Sequence, residues 1–239
     1  MSDNRGLNAA RGADNDEFYT QYSDIESEMN AYIEFNPDVF RDKTVLLPCD
    51  DPELSNFTKY FSDNFKRLGL KKLISTSYGK GFDGGEKPAF DKSPFPSSCS
   101  AIARRHAHGK LYVLAKCDDD SCSTDSGYIE FSGPLKGDGD FRSAEVKEFL
   151  QEADMVITNP PFSMFREFVT WVMDAGKKFS ILGNLNAISY NNVFPMLKGN
   201  EIWLGCSIHS GDRKFNVPTT IPSRRRSAAR IQMGANTST

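Results

Sequence analysis

Residues 154–162, Asp-Met-Val-Ile-Thr-Asn-Pro-Pro-Phe, constrain the fold more than any other stretch of this 239-residue chain. Met155 to Thr158 is a short apolar run behind an acid, the pattern of a strand buried on both faces of a parallel sheet. Pro160 and Pro161 end it, because each fixes φ and lacks an N–H, so neither a ladder nor a helix runs through them. Phe165, Phe168, Val169, Val172 and Met173 follow at helical spacing. Strand, rigid turn and helix form part of a crossover unit, and the turn fixes a polar amide, Asn159, and an aromatic, Phe162, at one edge.

The same alternation recurs along the chain. Thr44 to Leu47 predicts a buried strand ending at Pro48, and the loop Cys49-Asp50-Asp51-Pro52 leads into Leu54, Phe57, Phe61 and Phe65, which share one helical face. Leu70 to Tyr78 and Phe179 to Leu182 predict further strands, the latter closed by Gly183-Asn184. Leu111 to Ala115 and Tyr128 to Phe131 read as the arms of a hairpin, and Glu145 to Ala153 as a short helix. Ile25, Met29, Tyr32 and Ile33 predict an earlier helix that Ser23 or Asp24 can cap. The pattern is that of an α/β protein with a doubly wound sheet, whose ligands sit at the carboxyl ends of the strands. Three loops expected there are chemically loaded: Cys49 to Pro52, Gly139 to Arg142 and Asn159 to Phe162. Residues 1–15 read as a flexible leader, and 79–105, rich in Gly, Pro and Ser, as a loop or insertion.

Composition excludes several classes. With 38% hydrophobic and 26% charged residues the chain is that of a folded globular protein. A net charge of -3 does not suit a nonspecific nucleic-acid coat, although local basic patches remain able to bind phosphate. No segment approaches the roughly 18 apolar residues of a membrane helix, and the N-terminus has no apolar signal region, so a cytoplasmic protein is expected. The five cysteines, at 49, 99, 117, 122 and 206, form no CxxC pair; reduced thiols and no metal site are expected.

The Asn-Pro-Pro-Phe turn carries a definite chemistry. An exocyclic aromatic amine is a poor nucleophile because its lone pair is delocalised into the ring. The side-chain oxygen of Asn159 and the carbonyl of Pro160 can both accept from such an amine, and Phe162 can stack on a base swung out of its helix. The plainer alternative is a proline-terminated strand with a buried phenylalanine.

The tetrapeptide resembles motif IV of amino-methyltransferases, and its flanks, ADMVITNPPFSMFREFV and KKFSILGNLNAISY, resemble those of the EcoRI-type adenine-specific DNA methyltransferases. Asp16 to Thr20 followed by QYSDIE, Cys49 to Pro52 with Ser55-Asn56-Phe57, and GDGDFRSAE at 137–145 also look like that family. The resemblance covers about residues 14–218 and implies a Rossmann-like fold that binds S-adenosylmethionine and needs no metal, with duplex DNA as substrate and adenine N6 as the methylated atom. It casts Asn159, Pro160, Pro161 and Phe162 as the catalytic turn. It implies that Phe18, Tyr19 and Thr20 pack at the cofactor's methionine end. Cys49, Asp50, Asp51 and Pro52 would form the cofactor loop, with either carboxylate taking the ammonium. Asp140 would meet the cofactor adenine's amino group and Phe141 its ring.

The usual glycine-rich first loop is missing, and the expected ribose-binding acid is absent too, since the second strand ends Ser75-Thr76-Ser77-Tyr78. The catalytic domain is therefore expected over 16–218. Residues 219–239, with Arg224-Arg225-Arg226, are expected to be a disordered basic tail in place of a recognition region. Two other readings stay open: an inactive remnant that serves as a binding module, and a protein or glutamine amino-methyltransferase.

Overall fold

The computed structural model describes residues 20–79, 108–117, 127–205 and 230–235. In chain order its elements are α1 (Tyr22–Phe35), β1 (Thr44–Leu47), α2 (Asn56–Asp63), α3 (Phe65–Leu68), β2 (Lys72–Ser77), β3 (Lys110–Lys116) and β4 (Tyr128–Pro134). There follow α4 (Ala144–Glu152), β5 (Met155–Thr158), α5 (Phe165–Asp174), β6 (Lys178–Asn184), α6 (Phe194–Lys198), β7 (Ile202–Leu204) and β8 (Arg230–Ala235).

The strands form one eight-stranded sheet in the order β4-β3-β2-β1-β5-β6-β8-β7. Its four central strands, β2-β1-β5-β6, are parallel. Antiparallel strands flank them, β3 and β4 on one side, β8 and β7 on the other. Strands β1 and β5 read as short, mostly apolar runs because both their faces are covered. Side chains alternate between two cores: Leu46, Ile74, Val156 and Ile181 face one, and Val45, Leu47, Leu73, Ile157 and Leu182 the other. Helices α4 and α5 cover the first face with Val146, Leu150, Phe165, Phe168 and Val172. Helices α1 to α3 cover the second with Ile25, Met29, Phe57, Phe61 and Leu68. Burying each such side chain contributes on the order of 1.5 to 3 kcal/mol, which fixes which face each strand presents. The fold is thus α/β, doubly wound about a parallel centre, in the Rossmann-like manner expected.

Several boundaries differ from the sequence reading. Helix α2 begins at Asn56, not Leu54, because Ser55 takes the capping position and its Oγ accepts from the Phe57 N–H at 3.0 Å. Leu54 lies in the preceding turn, 59% exposed. Helix α1 has Gln21 at its N-cap without a side-chain bond, so Ser23 and Asp24 fall inside the first turn. Cys117 is disulfide-bonded, contrary to the expectation of reduced thiols, and Cys49 is free. The largest correction is β8. Residues 230–235 are not a solvated tail but a strand paired on both edges, with Ile181↔Met233 toward β6 and Leu204↔Met233 toward β7. The expected leader at 1–15, almost all of the 79–105 insertion and the Arg224 to Arg226 run lie outside the described residues.

Candidate active site

From β1 the chain winds outward through β2, β3 and β4, then returns over α4 to β5 on the other side of β1. The strand order reverses between β1 and β5, so the loops leaving their carboxyl ends diverge and leave a crevice, the usual ligand position in such sheets. The two loops there are residues 48–55 and 159–164.

The Asn-Pro-Pro-Phe turn leaves β5 at Thr158. Pro160 is buried and Asn159 half-buried with its Oδ1 inside. The Met164 N–H donates to the Pro161 carbonyl at 3.0 Å, closing a 3-10 turn over Phe162–Met164 before α5 begins. The two prolines force this arrangement, since the chain regains an N–H donor only beyond them. Phe165 and Phe168 are 2% and 0% exposed in the core. Phe162 is half-buried and belongs to neither core. The plainer expectation, a core phenylalanine, therefore fits Phe165 and not Phe162.

Across the crevice, Asp50 is 4% exposed. Its Oδ1 accepts from Ser55 Oγ and its Oδ2 from Thr158 Oγ1, both at 2.6 Å. Its N–H donates to the Thr76 carbonyl at 3.0 Å, and its carbonyl accepts from Ser75 Oγ at 2.7 Å. Burying a carboxylate is costly unless donors replace its water, and these hydroxyls do so. Asp50 thereby joins β1 to α2, β2 and β5.

Its neighbour Asp51 stays nearer the surface. One carboxylate oxygen accepts from the Glu53 N–H at 2.9 Å, and Lys110 Nζ approaches within 3.2 Å of the other. Hydrogen bonding to Glu53 and Asp51 raises the Lys110 pKa against the opposing effect of burial. Cys49 is half-buried against the α4–α5 core, and Pro52 opens the turn that reaches Ser55. Thr20 is buried, and its carbonyl accepts from Asn56 Nδ2 at 2.6 Å, which docks the chain before α1 on the start of α2. Phe18 and Tyr19 lie outside the described residues.

The loop at 137–142 sits on the carboxyl end of β2. The Gly79 N–H donates to the Asp138 carbonyl at 2.6 Å. Gly139 has φ +80° and packs so closely that a Cβ would lie 2.2 Å from the Ser77 carbonyl oxygen. The Arg142 guanidinium, bonded to both oxygens of Asp140, holds that carboxyl below the usual range. Arg142 also reaches Glu167 on α5 at 3.2 Å. Phe141 turns inward, 4% exposed, with its ring edge-on to Phe168 and Trp171 at 5.0 and 5.2 Å. A groove of about 430 Å³ beside α5 is lined by Phe141, Arg142, Arg166, Glu167 and Trp171 among others, but by no residue of 48–55 or 159–162.

The structure thus brings Thr20, Asp50, Asp51, Asp140 and the turn from Asn159 to Phe162 to the carboxyl edge of β2-β1-β5, while Phe141 sits in the core beneath. Sequence reasoning named Thr158, Ser55 and Arg142 only as parts of a strand, a motif and a loop, gave none of them a role, and passed over Lys110. Two of them carried a local signal: Ser55 stands before an amphipathic helix, and Arg142 two residues after Asp140.

The family described as adenine-specific methyltransferase EcoRI matches residues 6–238. The chain belongs to this EcoRI methylase family. The match runs through residues 219–238, so the likeness does not stop at 218, in keeping with the place of β8 in the sheet. The chain is 42% identical over 90% of its length to the Type II methyltransferase M.EcoRI of Escherichia coli, and covers 59% of that protein. It is 33% identical over 85% of its length to M.MpnI of Mycoplasma pneumoniae, covering 51% of it. The chain therefore spans between half and three-fifths of these relatives. No solved structure matches it. Membership in the EcoRI methylase family implies a methyl-donor cofactor. Two carboxylates stand at neighbouring strand ends, Asp51 paired with Lys110 and Asp140 with Arg142, and such groups accept from an ammonium or an aromatic amine. Among the described residues no helix is long and apolar enough to cross a membrane.

Proposed function

We propose that this chain transfers a methyl group from S-adenosylmethionine to the N6 amine of an adenine swung out of duplex DNA. The observation that carries the reading is the place of Asn159 to Phe162, at the carboxyl end of β5 and across the switch point from the 48–55 loop. S-adenosylmethionine, when bound, supplies a methyl group activated by a sulfonium. Asp51, beside Lys110, and Asp140, beside Arg142, would hold its ammonium and its adenine amine, and the 48–55 backbone with the start of α2 would receive its carboxylate. Asn159 Oδ1 and the Pro160 carbonyl accept from the two N–H bonds of the target amine, which draws the nitrogen lone pair out of conjugation and aims it into the crevice. Phe162, outside both cores, stacks on the extruded base. No residue has to act as a strong base before attack.

Relatives named as Type II methyltransferases support this reading, and we propose the cytoplasm as its compartment. The test is transfer of a tritiated methyl group to mixed-sequence duplex DNA, followed by sequencing for N6-methyladenine in cells expressing the chain. Label in adenine is expected. Calorimetric binding of S-adenosylmethionine with no transfer to DNA would leave a binding module instead, and label on a protein acceptor would reassign the substrate.

A further inference from the structure

Thr158 is the last residue of β5, immediately before Asn159, and is fully buried. Its hydroxyl donates to Asp50 Oδ2 at 2.6 Å, across 108 residues of sequence. The other oxygen of the same carboxylate accepts from Ser55 Oγ, and Ser55 Oγ itself accepts from the Phe57 N–H that opens α2. A continuous chain of buried hydrogen bonds therefore runs from the residue before the catalytic turn, through one carboxylate, to the cap of the helix behind the first loop. Backbone pairing alone does not hold these two loops together. The β1–β5 ladder pairs Val45 with Met155 and Leu46 with Val156, and stops two residues short of Thr158. Beyond that point the Thr158–Asp50 bond ties the two strand ends together.

We propose that Thr158 is a positioning residue whose hydroxyl, clamped on the buried Asp50 carboxylate, sets Asn159 at a fixed distance from the first loop. A carboxylate acceptor makes this bond short and strong, and its burial excludes competing water. The clamp matters because the two loops hold different reactants: one carries the methyl donor and the other the amine. A shift of about 1 Å between them costs on the order of a hundredfold in rate without removing any group that touches either reactant. Asp50 is then a structural member of the clamp, which leaves Asp51 to face the ammonium. The catalytic consequence rests on the methyltransferase reading above, whereas the clamp itself does not.

Two variants separate the hydroxyl from the shape. Thr158→Val keeps the branched side chain and removes the donor, and Thr158→Ser keeps the donor. Amide hydrogen exchange reads the clamp on the protein alone. In the valine variant residues 48–56 are expected to exchange about tenfold faster than in the wild type, the size expected for loss of a bond to a charged acceptor, with α4 unchanged and serine restoring protection. In steady-state transfer, valine is expected to lower kcat about tenfold to a hundredfold while the calorimetric Kd for S-adenosylmethionine moves less than about threefold, and serine recovers most of the loss. Unchanged exchange over 48–56 overturns the clamp, and so does exchange raised equally throughout the chain, which marks a general loss of stability. A valine kcat within about threefold of wild type overturns the positioning role. If the wild-type chain transfers no methyl group at all, the functional reading falls with that role, and the exchange experiment still decides whether the clamp exists.

Discussion

Asp50 and Asp51 are adjacent acids in sequence that meet opposite surroundings. One is sealed under the sheet edge by two hydroxyls, and the other lies at the rim beside Lys110. Pattern alone cannot separate them, because the side chains that bury Asp50 come from Ser55, Ser75 and Thr158, the last more than a hundred residues away. Asn159 was legible for the opposite reason: its constraint is local, written in the prolines beside it. Asn159→Ala should abolish transfer while leaving cofactor affinity nearly intact, since removing a preorganised acceptor costs about 3 to 4 kcal/mol, a hundredfold to a thousandfold in kcat. Asn159→Asp keeps an acceptor and should retain partial activity. A loss smaller than about tenfold in the alanine variant, measured by tritium transfer, removes Asn159 from the catalytic site. Phe162→Ala should weaken binding of DNA with an unpaired target adenine by about 1 to 3 kcal/mol, with little effect on S-adenosylmethionine. A fall in melting temperature with equal losses for both ligands would return Phe162 to core packing.

At the scale of elements, the buried parallel strands were the most readable part of the chain. A strand covered on both faces is mostly apolar, so Thr44–Leu47 and Met155–Thr158 stand out as short runs between charged or proline-marked ends. Helix starts were less legible, because Leu54 fits the apolar stripe of α2 yet is excluded by the Ser55 cap. The 137–142 loop shows a constraint that composition disguises. GDGD reads as ordinary turn chemistry, but its two glycines are not equivalent. A Cβ on Gly137 would meet only Glu145 Oε2, at 3.5 Å, whereas one on Gly139 would strike the β2 backbone and force a left-handed φ on a branched centre. Gly139→Ala should therefore displace Asp140 and destabilise the protein by about 1 to 3 kcal/mol. Gly137→Ala should be close to neutral. Thermal unfolding of the pair, with calorimetry for the cofactor, checks both; equal behaviour would show that the loop relaxes away from β2.

Across the whole molecule, the element that sequence reasoning misjudged is one that takes both of its pairing partners from well upstream in the chain. RIQMGA offers only two large apolar residues among charged, polar and small ones, so its intrinsic strand signal is weak. What makes it a strand is a slot between β6 and β7, with register from Ser180↔Gly234 to Asn184↔Arg230 on one edge and Ile202↔Ala235 to Leu204↔Met233 on the other. Such pairing is fixed by the rest of the fold, and a window of the sequence does not contain it. The solvated-tail and the strand readings predict different responses to one substitution. Met233 is paired on both edges, so a proline there deletes an N–H that serves the ladder and sets a ring against a neighbouring strand. If β8 is part of the sheet, Met233→Pro should cost at least about 1 to 3 kcal/mol, the penalty of a buried group left without its bond. In a chain of this size that lowers Tm by several degrees, about 2 to 4 °C per kcal/mol. The loss should extend to β7, whose antiparallel partner in the sheet is β8, and appear as faster amide exchange at Ile202 to Leu204. A proline variant with unchanged Tm and unchanged exchange at 202–204 would return residues 230–235 to solvent.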